Sequence, residues 1–127
     1  MTLNLGTIVA RRLTRAYRRI GLSLTVTDSA TSTTFPVTGR VTVLVFDEQA
    51  ANFTSAQTAG WARPAYKIQI AGDFRTVAAG PFINDVVALP NGAGAPGATL
   101  DYTVRKVDRS LFAGVVYRTT LYVSRNV

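Results

Sequence analysis

Cysteine and histidine are both absent from the 127 residues. Without cysteine there is no disulfide scaffold and no thiolate to act as ligand or nucleophile, and the redox compartment leaves no trace in the chain. Without histidine the commonest general base and the commonest metal ligand are missing. Acidic residues are scarce as well, seven against fourteen basic ones. Asp47 and Glu48 are neighbours, so on a strand they would point to opposite faces. A two-carboxylate mechanism would need a distant partner such as Asp73, Asp85, Asp101 or Asp108. Serine and threonine are plentiful but have no histidine to activate them, which leaves only a Ser–Lys arrangement through Lys67 or Lys106. No GxxxxGK[ST], GxGxxG or Asp-x-Asp-x-Asp-Gly loop occurs. The expectation is a protein that is not an enzyme and uses no cofactor and no metal.

Long apolar runs are missing too. Val41–Phe46 is typical and already contains Thr42, far short of the roughly 20 residues a membrane-crossing helix needs. The first arginines follow the first apolar residues instead of preceding an apolar core, so no signal peptide is read. No membrane partner is expected, and the cytosol is the default location.

What remains is globular: 47% hydrophobic and 17% charged, in a length that suits one domain over 1–127. Charge this sparse is expected where some faces lie against partners. The net charge is +7, and most of the basic residues are arginine, which suits contact with nucleic acid or acidic protein.

Thr7 to Ile20 reads as one amphipathic helix. Val9, Leu13, Ala16, Tyr17 and Ile20 share a face at helical spacing. Arg11, Arg12, Arg15, Arg18 and Arg19 fall on the other. Gly6-Thr7 marks its start and Gly21 its stop. From there the texture turns to strand. Leu22, Leu24 and Val26 alternate with Ser23, Thr25 and Thr27. Asp28–Thr34 is a polar loop ended by Phe35-Pro36, and Arg40–Phe46 is a buried strand. Residues 47–64 have no clean period. They read as a long loop carrying Phe53 and Trp61, or as holding a short helix around Glu48–Phe53. Tyr66, Ile68 and Ile70 mark a further strand, as do Phe82–Leu89, Thr99–Asp108 and Val115–Val123. In Thr99–Asp108 the pattern sets Leu100, Tyr102, Val104 and Lys106 against Asp101, Thr103, Arg105 and Val107. Val115–Val123 is apolar on both faces, as a strand contacted on both sides would be. The glycine-rich 91–98 is a hairpin tip. The sum is a mainly β domain, a small antiparallel barrel or sandwich over 22–123 with one N-terminal amphipathic helix over 7–20.

Two features point outward. Five guanidiniums on one helix face repel each other at i,i+3 and i,i+4 spacing and suit bidentate contact with carboxylates or phosphates. The helix is therefore read as a surface contacting a partner, protein in preference to DNA. Tyr102, Tyr117 and Tyr122, near Arg105, Lys106 and Arg118, would stack with single-stranded bases if they shared an exposed face; ordinary packing is the preferred reading.

The C-terminal half runs through KIQIAGDFRTV (67–77), PFINDVVALPNG (81–92), LDYTVRKVDRS (100–110) and VVYRTTLYVSR (115–125), and the N-terminal half contains ARRLTRAYRRIGLSLTVT (10–27). This order of strands behind a short basic helix resembles the head–tail connector, or stopper, proteins of long-tailed bacteriophages. The resemblance implies a structural virion protein, a β-barrel whose copies form a ring oligomer in the neck with six- or twelve-fold symmetry. Such a ring joins the portal or adaptor side of the head to the tail. It is found in the virion, and in the host cytoplasm during assembly. In such proteins a long inter-strand loop enters the channel and helps retain DNA. By position that loop is 47–64 here, with Asp47, Glu48, Phe53, Trp61 and Arg63 as its channel or inter-subunit residues. The Gly-rich 91–98 connection and the composition of 47–64 depart from the family pattern. A tail terminator or other tail-ring protein, and a single-stranded nucleic-acid-binding β-barrel, are the competing readings.

Overall fold

Asn4 opens the first helix. Its side-chain oxygen accepts from the Gly6 N–H at 2.8 Å, and its amide donates to the Ala113 carbonyl at 3.1 Å, so one residue both caps the helix and ties it to a distant turn. The cap sets the start of α1 (Leu5–Ile20) two residues ahead of the sequence expectation. Gly21 ends it, donating to the Tyr17 carbonyl at 2.7 Å. A Cβ at Gly21 would lie 2.4 Å from that carbonyl oxygen and 2.9 Å from that of Gly39. The joint from helix to first strand therefore closes only around a residue without a side chain.

The computed structural model describes residues 4–72, 83–90 and 97–127. The expected hairpin tip falls largely outside them. After α1 come β1 (Leu22–Thr27), β2 (Thr34–Val43), α2 (Phe46–Asn52), α3 (Ser55–Thr58), β3 (Trp61–Ala71), β4 (Val86–Pro90), β5 (Thr99–Phe112) and β6 (Val115–Asn126). All the pairings are antiparallel, and the six strands close in the order β1-β2-β3-β6-β5-β4. Of the described residues 54% are strand and 25% helix. The domain is mainly β, and it is a barrel, not a sandwich.

Alternation along the strands fills the barrel. Leu24 and Val26, Ile68 and Ile70, Val87 and Leu89, Tyr102 and Val104, and Leu121 and Val123 form one buried cluster, with Phe35, Val37, Val41 and Leu100 packed on it. Period-two patterning puts each set on one face.

The strand expected over 82–89 is β4, which starts only at Val86, with residues 83–85 outside it. Three further local readings change. β2 begins at Thr34, so Phe35-Pro36 lies within a strand. Pro36 faces Thr25 of β1, while the pairing of β2 with β3 covers only Gly39–Val43. A residue with no N–H is tolerated where one side of the strand has no such ladder. The same strand ends at Val43, and Phe46 starts α2. On β5 a register shift between Val104 and Lys106 makes Arg105 an extra residue. It turns Val107 inward, where it packs on the core, and sets Lys106 outside opposite Tyr122. The expected alternation thus holds only to Val104. The final strand is contacted on both faces: Thr119 to Ser124 are all buried, with the barrel core on one side and α1 and Phe53 against it elsewhere.

The β1–β2 loop is held by Asp28. Its carboxylate accepts from the Ala30 and Thr31 N–H groups at 2.8 and 3.2 Å. Asp85 accepts from the Ser29 N–H and hydroxyl at 3.1 and 3.4 Å. Two of the seven carboxylates are therefore buried as loop-fixing acceptors.

Candidate interaction surfaces

Of the two sequence readings of this segment the short helix holds: α2 covers Phe46–Asn52 and is tied to the outside of the barrel, a second short helix, α3, follows, and Trp61–Pro64 belong to β3. Asp47 and Glu48 occupy the first turn of α2, where acidic side chains suit the helix end. Glu48 Oε1 lies 2.5 Å from Lys67 Nζ on β3. Asn52 accepts from Lys106 Nζ of β5 at 2.9 Å while donating to the Glu48 carbonyl at 2.8 Å. Thr54 and Gln57 form a reciprocal capping box that starts α3. Phe53 meets Trp61 edge-on, ring centres 4.8 Å apart, and Tyr122 at 5.9 Å. Leu44, Ala65 and Tyr122 are the buried part of this second small core. Arg105 rests 5.7 Å from the Trp61 ring and donates to Ser124 and Asn126.

The residues expected in a channel loop therefore divide. Glu48, Phe53 and Trp61 pin the segment to the barrel, whereas Asp47 and Arg63 are exposed. Beside them stands Phe46, which the strand reading places in the interior and which is 69% exposed. It lines a cavity of about 420 Å³ with Gln49 and Thr54 and a smaller one of about 170 Å³ with Arg63 and Pro64. Val43 and Val45 are also exposed here. The opposite end of the barrel carries a second apolar group. The β5–β6 hairpin turns on Ala113-Gly114, both at positive φ, the geometry of a two-residue primed turn. Leu111 and Phe112 are exposed on it, and Leu5 of α1 is exposed where the helix begins. Neither apolar group carries a sequence signal beyond its hydrophobicity, because burial at a barrel end depends on what lies over it.

Arg11, Arg12, Arg15, Arg18 and Arg19 are all exposed on α1. Among the described residues none of them makes an ion pair or a hydrogen bond. The face by which α1 packs is rotated from the one its pattern announces, keeping Tyr17 buried and Val9 and Leu13 half-buried. Gly6 and Tyr17 are the buried residues, whereas Ala16 is exposed and Ile20 is 60% exposed. At about 100° per residue, Gly6 and Tyr17 are centred roughly 50° away from the middle of the apolar face.

The three tyrosines share no exposed face. Tyr102 lies inside the barrel against Tyr66, ring centres 5.4 Å apart, and Tyr122 lies outside beneath Phe53. Both are nearly fully buried. Tyr117 is half-buried, with Arg118 5.7 Å from its ring. Burial pushes the Tyr102 hydroxyl above its ordinary range, helped by Tyr66 and opposed by Arg125. Burial does the same at Tyr122, where Asp108 and Glu48 add to the effect. In place of a stacking platform there is ordinary packing, the reading preferred from the sequence.

Set against family models, curated proteins and solved structures, the chain matches none of them.

Proposed function

We propose that the chain is a structural subunit of a tailed-bacteriophage virion, a ring-forming connector in the neck between the portal or adaptor side and the tail. The observation that carries this reading is the pair of exposed apolar groups at opposite ends of one small barrel: Val43, Val45 and Phe46 at one, Leu5, Leu111 and Phe112 at the other. A repeated heterologous contact needs two different surfaces on each copy, and it closes into a ring when the rotation allows. Exposed large apolar residues mark such contacts. The predominance of strand over helix supports the connector reading over a tail terminator, for which more helix packed on the sheet is expected. A DNA-retaining role for 47–64 would fall to its exposed residues, Asp47 and Arg63 among them, since Glu48, Phe53 and Trp61 are engaged with the barrel.

Light scattering across a concentration series, with and without single-stranded DNA, tests this. The connector reading expects mass to rise with concentration towards a closed ring, and Phe46→Ser to hold the chain at monomer mass. A monomer at every concentration that binds the strand and releases it steeply with salt would replace it with a nucleic-acid-binding barrel.

A further inference from the structure

The offset between the buried and apolar faces of α1 leaves a strip of the helix with a mixed character. Leu5, Ala16 and Ile20 fall within about 60° of one another around the axis, and all three are exposed. Arg12 and Arg19 border that strip, and the other three arginines continue the basic face beyond it. We propose that this composite face docks an acidic protein surface with an apolar centre, such as an amphipathic helix carrying Glu or Asp beside Leu or Ile.

Charge selects the occupant. Five unpaired guanidiniums call for several carboxylates or phosphates. Among the described residues a second copy offers few of them. Asp28 and Asp85 are buried, Glu48 is paired with Lys67, and Asp108 lies 3.8 Å from Lys106. That leaves Asp47 and Asp101 as the exposed, unpaired carboxylates among the described residues. The partner is therefore a different molecule. The apolar strip then separates protein from nucleic acid. A phosphate backbone offers nothing to bury Ile20 or Leu5, whereas an interface core of aliphatic side chains ringed by charge does. Leu5 also belongs to the apolar group assigned above to the ring contact, whereas Ile20 does not, so Ile20→Ser alone separates the failure of this proposal from the failure of ring formation.

The test uses three fluorescent probes measured by anisotropy at two salt concentrations. One is a helical peptide of about 20 residues with Leu at i, i+3, i+4 and i+7 flanked by Glu. The second is the same peptide with Gln for each Leu, and the third is a DNA duplex of about 20 base pairs. Wild-type protein is expected to bind the leucine peptide about tenfold or more tighter than the glutamine peptide. The Leu5→Ser/Ile20→Ser double variant is expected to lose that preference, and Arg15→Gln/Arg18→Gln to weaken both peptides alike. Ile20→Ser alone, at a site already more than half exposed, provides the same comparison should the double variant unfold on heating earlier than wild type. Equal affinity for the two peptides overturns the proposal. So does a preference for the duplex that the serine variants leave unchanged.

Discussion

Gly6 sets two physical effects against each other. Replacing it by alanine improves helix propensity by up to about 1 kcal/mol. Yet a Cβ there would lie 2.1 Å from the Phe112 carbonyl oxygen and 2.7 Å from Val115 Cβ. Neither atom can swing away by changing a rotamer, because one belongs to the backbone and the other is fixed to it. Overpacking of this kind costs about 1–3 kcal/mol, and a contact so far inside normal range belongs at the upper end. Gly6→Ala should therefore destabilise by about 1–2 kcal/mol net, lowering Tm by roughly 4–8 °C for a chain of this size. The first turn of α1 should also lift from the β5–β6 hairpin, so limited trypsin should cut sooner at Arg11 and Arg12. Gly60→Ala is the control, since a Cβ placed at Gly60 would meet nothing within 4 Å, and it should leave Tm level or raise it slightly. Thermal unfolding followed by circular dichroism, with a trypsin time course, checks both. A rise in Tm for Gly6→Ala with unchanged cleavage would show that propensity governs and that α1 does not seat on the hairpin at Gly6.

Four further outcomes are expected. Phe53→Ala should cost about 2 kcal/mol, less than for a fully buried phenylalanine, and should shift the emission of Trp61, the only tryptophan, to the red; an unshifted spectrum would mean that α2 is not seated on that ring. Glu48→Gln should cost about 0.5–1 kcal/mol in urea titrations at low salt and less at high salt, and a salt-independent loss would point to packing and not to the ion pair with Lys67. Tyr102 and Tyr122 have folded pKa values raised above the ordinary 10.0, so their contribution to stability is complete below about pH 10 and is lost as pH rises through the folded values. Tm measured from about pH 8 to about 11.5 should fall at the alkaline end, and an equal fall in Tyr102→Phe/Tyr122→Phe would assign it elsewhere. Arg15→Gln/Arg18→Gln should hold stability within about 0.5 kcal/mol or raise it by relief of like-charge repulsion, whereas a loss of several degrees in Tm would show those side chains packed.

The sequence by itself was enough for the class of the domain. Leu24 and Val26, Ile68 and Ile70, and Leu121 and Val123 are spaced by two because a strand places alternate side chains on one face, and that spacing survives in any mainly β arrangement. The helix was legible for the same reason at its own period, and Gly21 as its end because the chain must leave the helix there. The contacts decided only by tertiary structure are those between segments far apart in the chain. Whether the strands close depends on the β1–β4 pairing, Thr25 against Ala88, which no local pattern encodes. Arg105 is an extra residue only because β6 runs beside it, and that bulge decides whether Lys106 or Val107 points inward. The short helix around Glu48–Phe53 was one of two sequence readings, and the seat of α2 on the barrel was decided by Lys67, Lys106, Trp61 and Tyr122, contributed by strands that follow in sequence. The outward strip of α1 is likewise a tertiary result. Hydrophobic periodicity fixes which side chains can be buried together, but the rotation of the helix is set by where Gly6 allows the closest approach to the hairpin and where Tyr17 finds cover. Leu5, Ala16 and Ile20 were left facing solvent beside the arginines.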